Sequence, residues 1–328
     1  MLERIEAQEV LITHENCWDG TACSVVYKKF FPEGHVIETN YNKIPIEVYV
    51  EALAGKDVII ADFSLPRDEL LKLKDVTKSL VVLDHHITAM KDLDGLSFAF
   101  FDMTKCGSHM LHDYLMRGFH EKIGYKPSSD DSDIIPFWLQ MIEAGDLYKT
   151  DVHYFNVYRG VRILYHETRH EYLNKLFNMS DEQVYEKVYS EGLPAFEAYN
   201  NNLKDHLKDK TIFTFIYTYE GRERFLPAIF APAVFSSDAG HYLAHATNFQ
   251  VGVVISMDLI KNKLYLSFRS YEDGNASAVA ESLGGGGHTH AAGAMLDMDA
   301  AFKNHIRFDQ QWKDFADASY LESLCSKH

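Results

Sequence analysis

The chain has 328 residues, 46% hydrophobic and 24% charged, the balance of an ordinary globular protein with room for two domains. Its 32 basic residues are outnumbered by 48 acidic ones, and a net charge of −16 disfavours capture of a long nucleic acid by a basic track. No stretch reaches the roughly 18 uninterrupted apolar residues of a membrane span. The charged segment from Met1 to Glu9 lacks the apolar run of a secretion signal, so a cytoplasmic protein without a membrane partner is expected. Cys17, Cys23, Cys106 and Cys325 form no Cys-x-x-Cys pair and are expected as reduced thiols rather than a zinc knuckle or a disulfide framework.

The first third alternates strand and helix patterns. Val10 to Thr13, Val58 to Ala61 and Leu80 to Leu83 are short runs rich in β-branched residues and leucine, as in parallel strands covered on both faces. Helical patterns from Thr21 to Phe31 and from Arg67 to Leu73 fall between them, which predicts an α/β fold built of βαβ units. From about Ser129 to Asn202 the chain reads mainly as helix, with an apolar segment at Ile134 to Ile142. A charged, striped segment at Asp181 to Leu207 is suited to connect two domains. Strand patterns resume at Thr211 to Thr218, Phe249 to Ile255 and Lys263 to Phe268, followed by the glycines 284–287. The expected organisation is residues 1–205 as a metal-binding domain with its connecting helix, and 206–328 as a smaller α/β substrate-binding domain.

Each of the first three apolar runs is followed at once by groups able to hold a metal: His14, Glu15 and Asp19; then Asp62; then Asp84, His85 and His86. Ligands of an open parallel sheet gather outside the carboxyl ends of its strands, so these groups are expected at one edge. Imidazole with several carboxylates and no thiolate suits manganese best, with magnesium, cobalt and zinc as competitors. Carboxylates also favour two ions close together, about 3.5–4 Å apart, which can clamp a phosphate and activate a water. The glycines 285–287 allow backbone N–H groups to approach an anion, His288 can add a hydrogen bond, and Arg269 beside Ser270 can clamp a phosphate. Any one of these taken alone is more often a capping, packing or surface residue. The weight lies in their order. His109, His112, His166, His170, His241 and His290 are expected on surfaces or in helix packing.

With VVLDHH at residues 81–86, His14-Glu-Asn-Cys-Trp-Asp19-Gly20, Glu143-Ala-Gly-Asp146 and Gly284-Gly-Gly-Gly-His-Thr-His-Ala-Ala-Gly293, the sequence resembles the DHH phosphoesterases that carry a DHH-associated C-terminal domain. The resemblance spans about residues 10–295. It implies one metal on His14, Asp19 and Asp62, and a second on Asp62, His85 and Asp146, with Asp62 bridging. It also implies that Asp84 orients an imidazole and that His86 faces the scissile phosphate. Thr21 stands where many members have a further Asp, which leaves the second metal one carboxylate short; Asn16 is a candidate to compensate.

The expected activity is hydrolysis of short oligonucleotides or linear dinucleotides, linear diguanylate among them, to mononucleotides, with two domains limiting substrate length. Exopolyphosphatase or pyrophosphatase action, a small-nucleotide phosphatase and a nucleotide-sensing module without turnover are the competing readings. Self-association as a homodimer is left open.

Overall fold

The computed structural model describes residues 5–41, 43–123, 135–208, 212–246, 250–271 and 273–308, without the side chains of 119, 120, 122, 123, 246 and 288. The chain divides into two compact units, Met1–Glu197 and Ala198–His328. No described helix is long and apolar enough to cross a membrane.

The first unit runs β1 (Glu9–His14), α1 (Trp18–Phe30), β2 (His35–Thr39), α2 (Ile46–Leu53), β3 (Asp57–Ala61), α3 (Arg67–Val76), β4 (Ser79–Asp84), α4 (Ile87–Asp92) and β5 (Ala99–Phe101). It continues through α5 (Gly107–Ile123), α6 (Phe137–Asp146), α7 (Phe155–Tyr165), α8 (Arg169–Phe177) and α9 (Asp181–Lys208), the last passing into the second unit. The five strands form one parallel sheet in the order β2-β1-β3-β4-β5. The alternation of side chains along each strand sorts the apolar residues into two layers. Val10, Ile12, Val58, Ile60, Leu80 and Val82 pack on one face with Leu53, Leu70 and Leu73 from α2 and α3. Leu11, Ala61 and Leu83 face the other way, into a core shared with α1, α5, α6, α7 and α8. Burial of both faces is why these strands read as continuous apolar runs.

Helix boundaries differ from the pattern at informative places. α1 begins at Trp18 rather than Thr21. This puts Asp19 in the first turn, where the helix dipole favours a carboxylate. α6 begins after Pro136, whose fixed φ suits a helix start, and runs on to Asp146. β2 carries the mixed sequence HVIET and has no apolar run to announce it.

The second unit contains β6 (Phe213–Tyr219), β7 (Arg222–Phe230), α10 (Ser236–Ala246), β8 (Val251–Asp258), β9 (Lys263–Ser270), α11 (Ala276–Ser282), β10 (Gly286–His288), β11 (Ala291–Asp297), α12 (Met298–Asn304) and β12 (Ile306–Arg307). They form a seven-stranded sheet, β10-β11-β9-β8-β7-β6-β12, mixed because β7 and β8 run parallel while the other pairs are antiparallel. The expected strand starts at residues 211 and 249 lie outside the described residues. β7 has no apolar signature over its first half because Arg222 to Phe225 are exposed. The glycines expected to offer backbone N–H groups to an anion are drawn into pairing: Gly286 and Gly287 sit opposite Gly293 and Ala292.

Helices α7 and α9 cross with almost no room between their backbones. A Cβ at Gly160 would lie 1.7 Å from the Gly192 carbonyl oxygen, and one at Gly192 would lie 2.4 Å from that of Val157. Gly118 in α5 meets nothing within 4 Å. Gly160→Ala is therefore expected to destabilise the protein by about 1–3 kcal/mol through overpacking, whereas Gly118→Ala should be stabilising by about 0.5–1 kcal/mol through helix propensity. Urea denaturation of the two variants measures both.

Candidate metal centre

Strand register alone brings three of the expected groups level. β1, β3 and β4 are adjacent, with Thr13 opposite Ala61 and Ala61 opposite Leu83. The next residue on each strand is His14, Asp62 and Asp84, so all three emerge at the carboxyl edge. The edge also contains the point where strand order reverses around β1, the usual place for a ligand in an open α/β sheet. Asp19 arrives from the first turn of α1, and Asp146 from the last residue of α6.

The donor atoms of His14, Cys17 and Asp62 lie within 4.8 Å of one another, as do those of Asp62, His85 and His86, and those of Asp19, His85 and Asp146. The shared members join the three groups into one cluster. His85 stands between two carboxylates, with Nε2 3.2 Å from Asp62 Oδ1 and 3.4 Å from Asp146 Oδ2. Asp62 holds a left-handed backbone, φ 55°, as β3 turns into the following loop, and its N–H donates to the Leu83 carbonyl at 3.1 Å. Asp62 does not cap α3; that helix starts after Pro66 with no side-chain cap.

Within the cluster, His86 is also paired with Asp84. Asp84 Oδ1 accepts from His86 Nδ1 at 2.7 Å and from the backbone N–H groups of His85 and His86 at 2.7 and 3.3 Å. Burial would raise the Asp84 carboxyl, but these bonds outweigh it and hold it below its ordinary range. The bond to Asp84 raises His86 despite its desolvation, and it leaves Nε2 as the available ring nitrogen.

Asp62 and Asp146 are not compensated in this way. Desolvation, then the charge of Asp19, pushes Asp62 well above the usual carboxylate range and Asp146 up to about 8. Asp62 Oδ2 and Asp146 Oδ2 are buried without a hydrogen-bond partner. Burial also lowers His14 and His85 toward the neutral, ligating form. Orphaned carboxylate oxygens beside neutral imidazoles are the donor set of a hard to borderline divalent cation, and the residues fit one. The Cys17 thiol lies against the same cluster, pushed up to about 11 by burial and by Asp19.

Sequence reading missed the residues that support this cluster. Asp19 is fully buried and accepts from the Gly107 and Ser108 N–H groups at 2.6 and 3.0 Å and from the Ser108 hydroxyl, so it sits on the N-terminus of α5. Gly107 is required there, because a Cβ would come within 2.4 Å of the Asp62 Cβ. His109, expected in packing, is buried and paired through Nδ1 with Glu143. Glu143 also accepts from Cys106 N–H at 3.3 Å and from Lys149 at 2.7 Å. Burial opposes these contacts, but they prevail and bring Glu143 down to about 2. Glu143 precedes Asp146 by three residues on α6, so its pairing with His109 fixes that helix against α5. The Glu143–Asp146 spacing is the only signal of this in the sequence.

The expected substrate residues all belong to the second unit. Arg269 packs against α10, where a Gly240 Cβ would come within 2.7 Å of it, and donates to Ser237 Oγ at 3.4 Å and to the Phe268 carbonyl at 2.9 Å. Ser270 is buried; its hydroxyl donates to the Thr289 carbonyl at 2.9 Å and meets His290 Nδ1 at 3.0 Å. Gly285 gives its N–H to the Ala280 carbonyl at 2.8 Å, and Gly286 and Gly287 pair with β11. The His288 side chain lies outside the described residues.

The electrostatics make a signed prediction for the metal-free protein. Asp146 has a folded value of about 8 against an ordinary 3.8, so the folded state binds more protons between those values. Its contribution to stability is fully present below about pH 3.8 and is lost as pH rises through about 8. In urea titrations with chelator present, Asp146→Asn should flatten the fall in stability between about pH 4 and 8. An unchanged slope would contradict the buried, uncompensated carboxylate.

No family model matches the sequence. An uncharacterized protein, R106, of Acanthamoeba polyphaga mimivirus is 24% identical over 301 residues, covering 87% of this chain. The chain spans 66% of that relative's length. Among solved structures, RecJ of Thermus thermophilus in complex with Mn2+ aligns at TM-score 0.47 and 15% identity, over 91% of this chain and 51% of that one. A pGpG-specific phosphodiesterase, PggH, from Vibrio cholerae aligns at TM-score 0.45 and 11% identity over 98% and 100%. An exopolyphosphatase-related protein from Bacteroides fragilis aligns at TM-score 0.45 and 15% identity over 92% and 90%. Scores and identities at this level transfer no activity to this chain.

Proposed function

We propose that this chain is a metal-dependent phosphoesterase of the DHH type that hydrolyses short oligonucleotides or linear dinucleotides, linear diguanylate among them, to mononucleotides. The observation that carries the reading is the gathering of imidazoles and carboxylates at one sheet edge: the donor atoms of His14, Cys17 and Asp62, those of Asp62, His85 and His86, and those of Asp19, His85 and Asp146 each lie within 4.8 Å of one another. His14, Asp19 and Asp62 would hold one divalent ion, and Asp62, His85 and Asp146 a second, with manganese the best match to the donors. When bound, such ions supply charge neutralisation at the phosphoryl oxygens and an activated water near neutral pH.

The chain's own residues do the rest. Asp19 is held in orientation by the α5 N-terminus, and Asp62 by the β3 turn. Asp84 fixes the His86 tautomer, so that Nε2 is available to the leaving ester oxygen. Because the same bond raises His86, the ring retains its proton to higher pH than a free imidazole and can donate it as the ester breaks. Arg269 and the strand of Gly285, Gly286 and Gly287 with His288 are proposed as the phosphate-binding residues of the second unit. The net charge of −16 supports short substrates over polymers, since a long backbone would gain no extended basic contact.

Turnover of linear dinucleotides with Mn2+ should be abolished by chelator and lowered about 10³-fold or more by Asp62→Ala. Product chromatography with dinucleotide, polyphosphate and cyclic dinucleotide in parallel reads both the activity and its substrate class. Full activity in excess chelator would contradict the reading, and binding of nucleotide without turnover of any substrate would favour a sensing module.

A further inference from the structure

Thr21, at the position where the resemblance leads to a further carboxylate, is engaged in a different way. Its hydroxyl donates to the Cys17 carbonyl at 2.8 Å and accepts from Arg169 Nε at 2.9 Å. The same guanidinium donates through one terminal nitrogen to Asn16 Oδ1 at 3.2 Å, and through the other to the His166 carbonyl at 2.9 Å. A residue 148 positions away from Thr21 is thus tied to the loop between His14 and Asp19. That loop includes Cys17, whose sulfur lies within 4.8 Å of the donor atoms of His14 and Asp62.

All three acceptors are uncharged. Among the described residues no carboxylate forms an ion pair with Arg169. Glu38 feels its charge, but the contacts of that carboxylate, both on Oε1, are with His170 at 2.7 Å and Ser24 at 2.8 Å. A guanidinium has five N–H donors, and these bonds use one on each nitrogen, which leaves two.

The position is also rigid. Arg169 opens α8, and Tyr172, Leu173 and Leu176 bury that helix in the core that holds Trp18, Ala22 and Val25 of α1. Tyr172 stacks on Tyr165 at 3.9 Å and donates to Glu191 at 3.1 Å. The fork is therefore held before any ligand arrives, so little side-chain entropy is lost on binding.

We propose that Arg169 is a substrate-binding residue whose guanidinium, held against the loop between His14 and Asp19 by Thr21, Asn16 and the His166 carbonyl, receives a phosphoryl oxygen of the ester hydrolysed at the carboxylate–histidine cluster. The inference rests on the phosphoesterase reading above. It assigns to this chain a fixed cation at the point where the resemblance calls for a third acidic ligand. A guanidinium with no ion-paired carboxylate and two unused donors is a strong site for phosphate, because charge-assisted bonds are about twice as strong as neutral ones.

The test compares the full-length protein with Arg169→Gln and Arg169→Lys in three measurements. These are Mn2+ affinity by calorimetry, inorganic phosphate binding to the Mn2+-loaded protein by equilibrium dialysis, and kcat and KM on a linear dinucleotide. Arg169→Gln should leave Mn2+ affinity within about threefold of the parent, weaken phosphate binding about 10–100-fold and lower kcat/KM by a similar factor. Arg169→Lys should keep the fold and recover part of both losses, since the charge remains and the fork does not. Phosphate binding and kcat/KM within about threefold of the parent in both variants would overturn the proposal. So would losses that merely follow a loss of Mn2+ affinity or of thermal stability, because Arg169 would then be only a tether between α8 and the loop. If the parent hydrolyses nothing yet loses phosphate binding on Arg169→Gln, the assignment of Arg169 stands and the hydrolase reading fails.

Discussion

Crowding carboxylates together away from water is the constraint around which the first unit is arranged. Asp19, Asp62 and Asp84 are each 2% exposed or less, and Asp146 closes on the same space from α6. A buried charge of this kind is tolerated only where a partner compensates it. The fold supplies partners unequally. Asp19 rests on the start of α5, and Asp84 takes an imidazole and two backbone N–H groups. Asp62 and Asp146 each keep an oxygen with no donor. Asp19 and Asp84 are thus oriented by bonds the protein itself supplies, while Asp62 and Asp146 each keep an oxygen open to a cation.

Much of this is legible in the sequence, for a physical reason. A strand covered on both faces must be apolar along its whole length, so a polar residue placed directly after it marks the sheet edge. That rule locates His14, Asp62 and Asp84 without coordinates, and the parallel register then sets them side by side. Asp19 lies further on, in a helix start, and Asp146 is legible only through the motif resemblance because it ends a helix. The supporting residues leave no such mark. His109 and Glu143 are ordinary members of amphipathic helices until α5 and α6 pack, and Arg169 is an ordinary surface arginine until α8 docks on α1.

The second unit shows where pattern and structure part. Four successive glycines read as an open anion-binding loop, yet two of them enter strand β10 and pair with β11. The glycines are needed for closeness of backbone: a Cβ at Gly285 would come within 2.1 Å of the Gly293 carbonyl oxygen, and Gly287 has a φ of 145° that favours glycine. Ser270 likewise spends its hydroxyl on the turn between β10 and β11, at the Thr289 carbonyl and His290. Arg269 keeps its stem beside α10 and donates to Ser237 Oγ at 3.4 Å and to the Phe268 carbonyl at 2.9 Å, which engages two of its five N–H groups.

His14, Asp62 and His85 belong to the sheet edge, whereas Asp146 belongs to the helical layer laid over it and is braced there by the contacts of Glu143 with Cys106 and His109. A cation shared by Asp62 and Asp146 would therefore act as a rivet between two layers of the fold. Thermodynamic reciprocity follows: whatever shifts α6 by a fraction of an ångström alters the grip on the ion, and the ion in turn resists that sliding. Changes in the helical layer far from the sheet edge thereby acquire leverage over the chemistry.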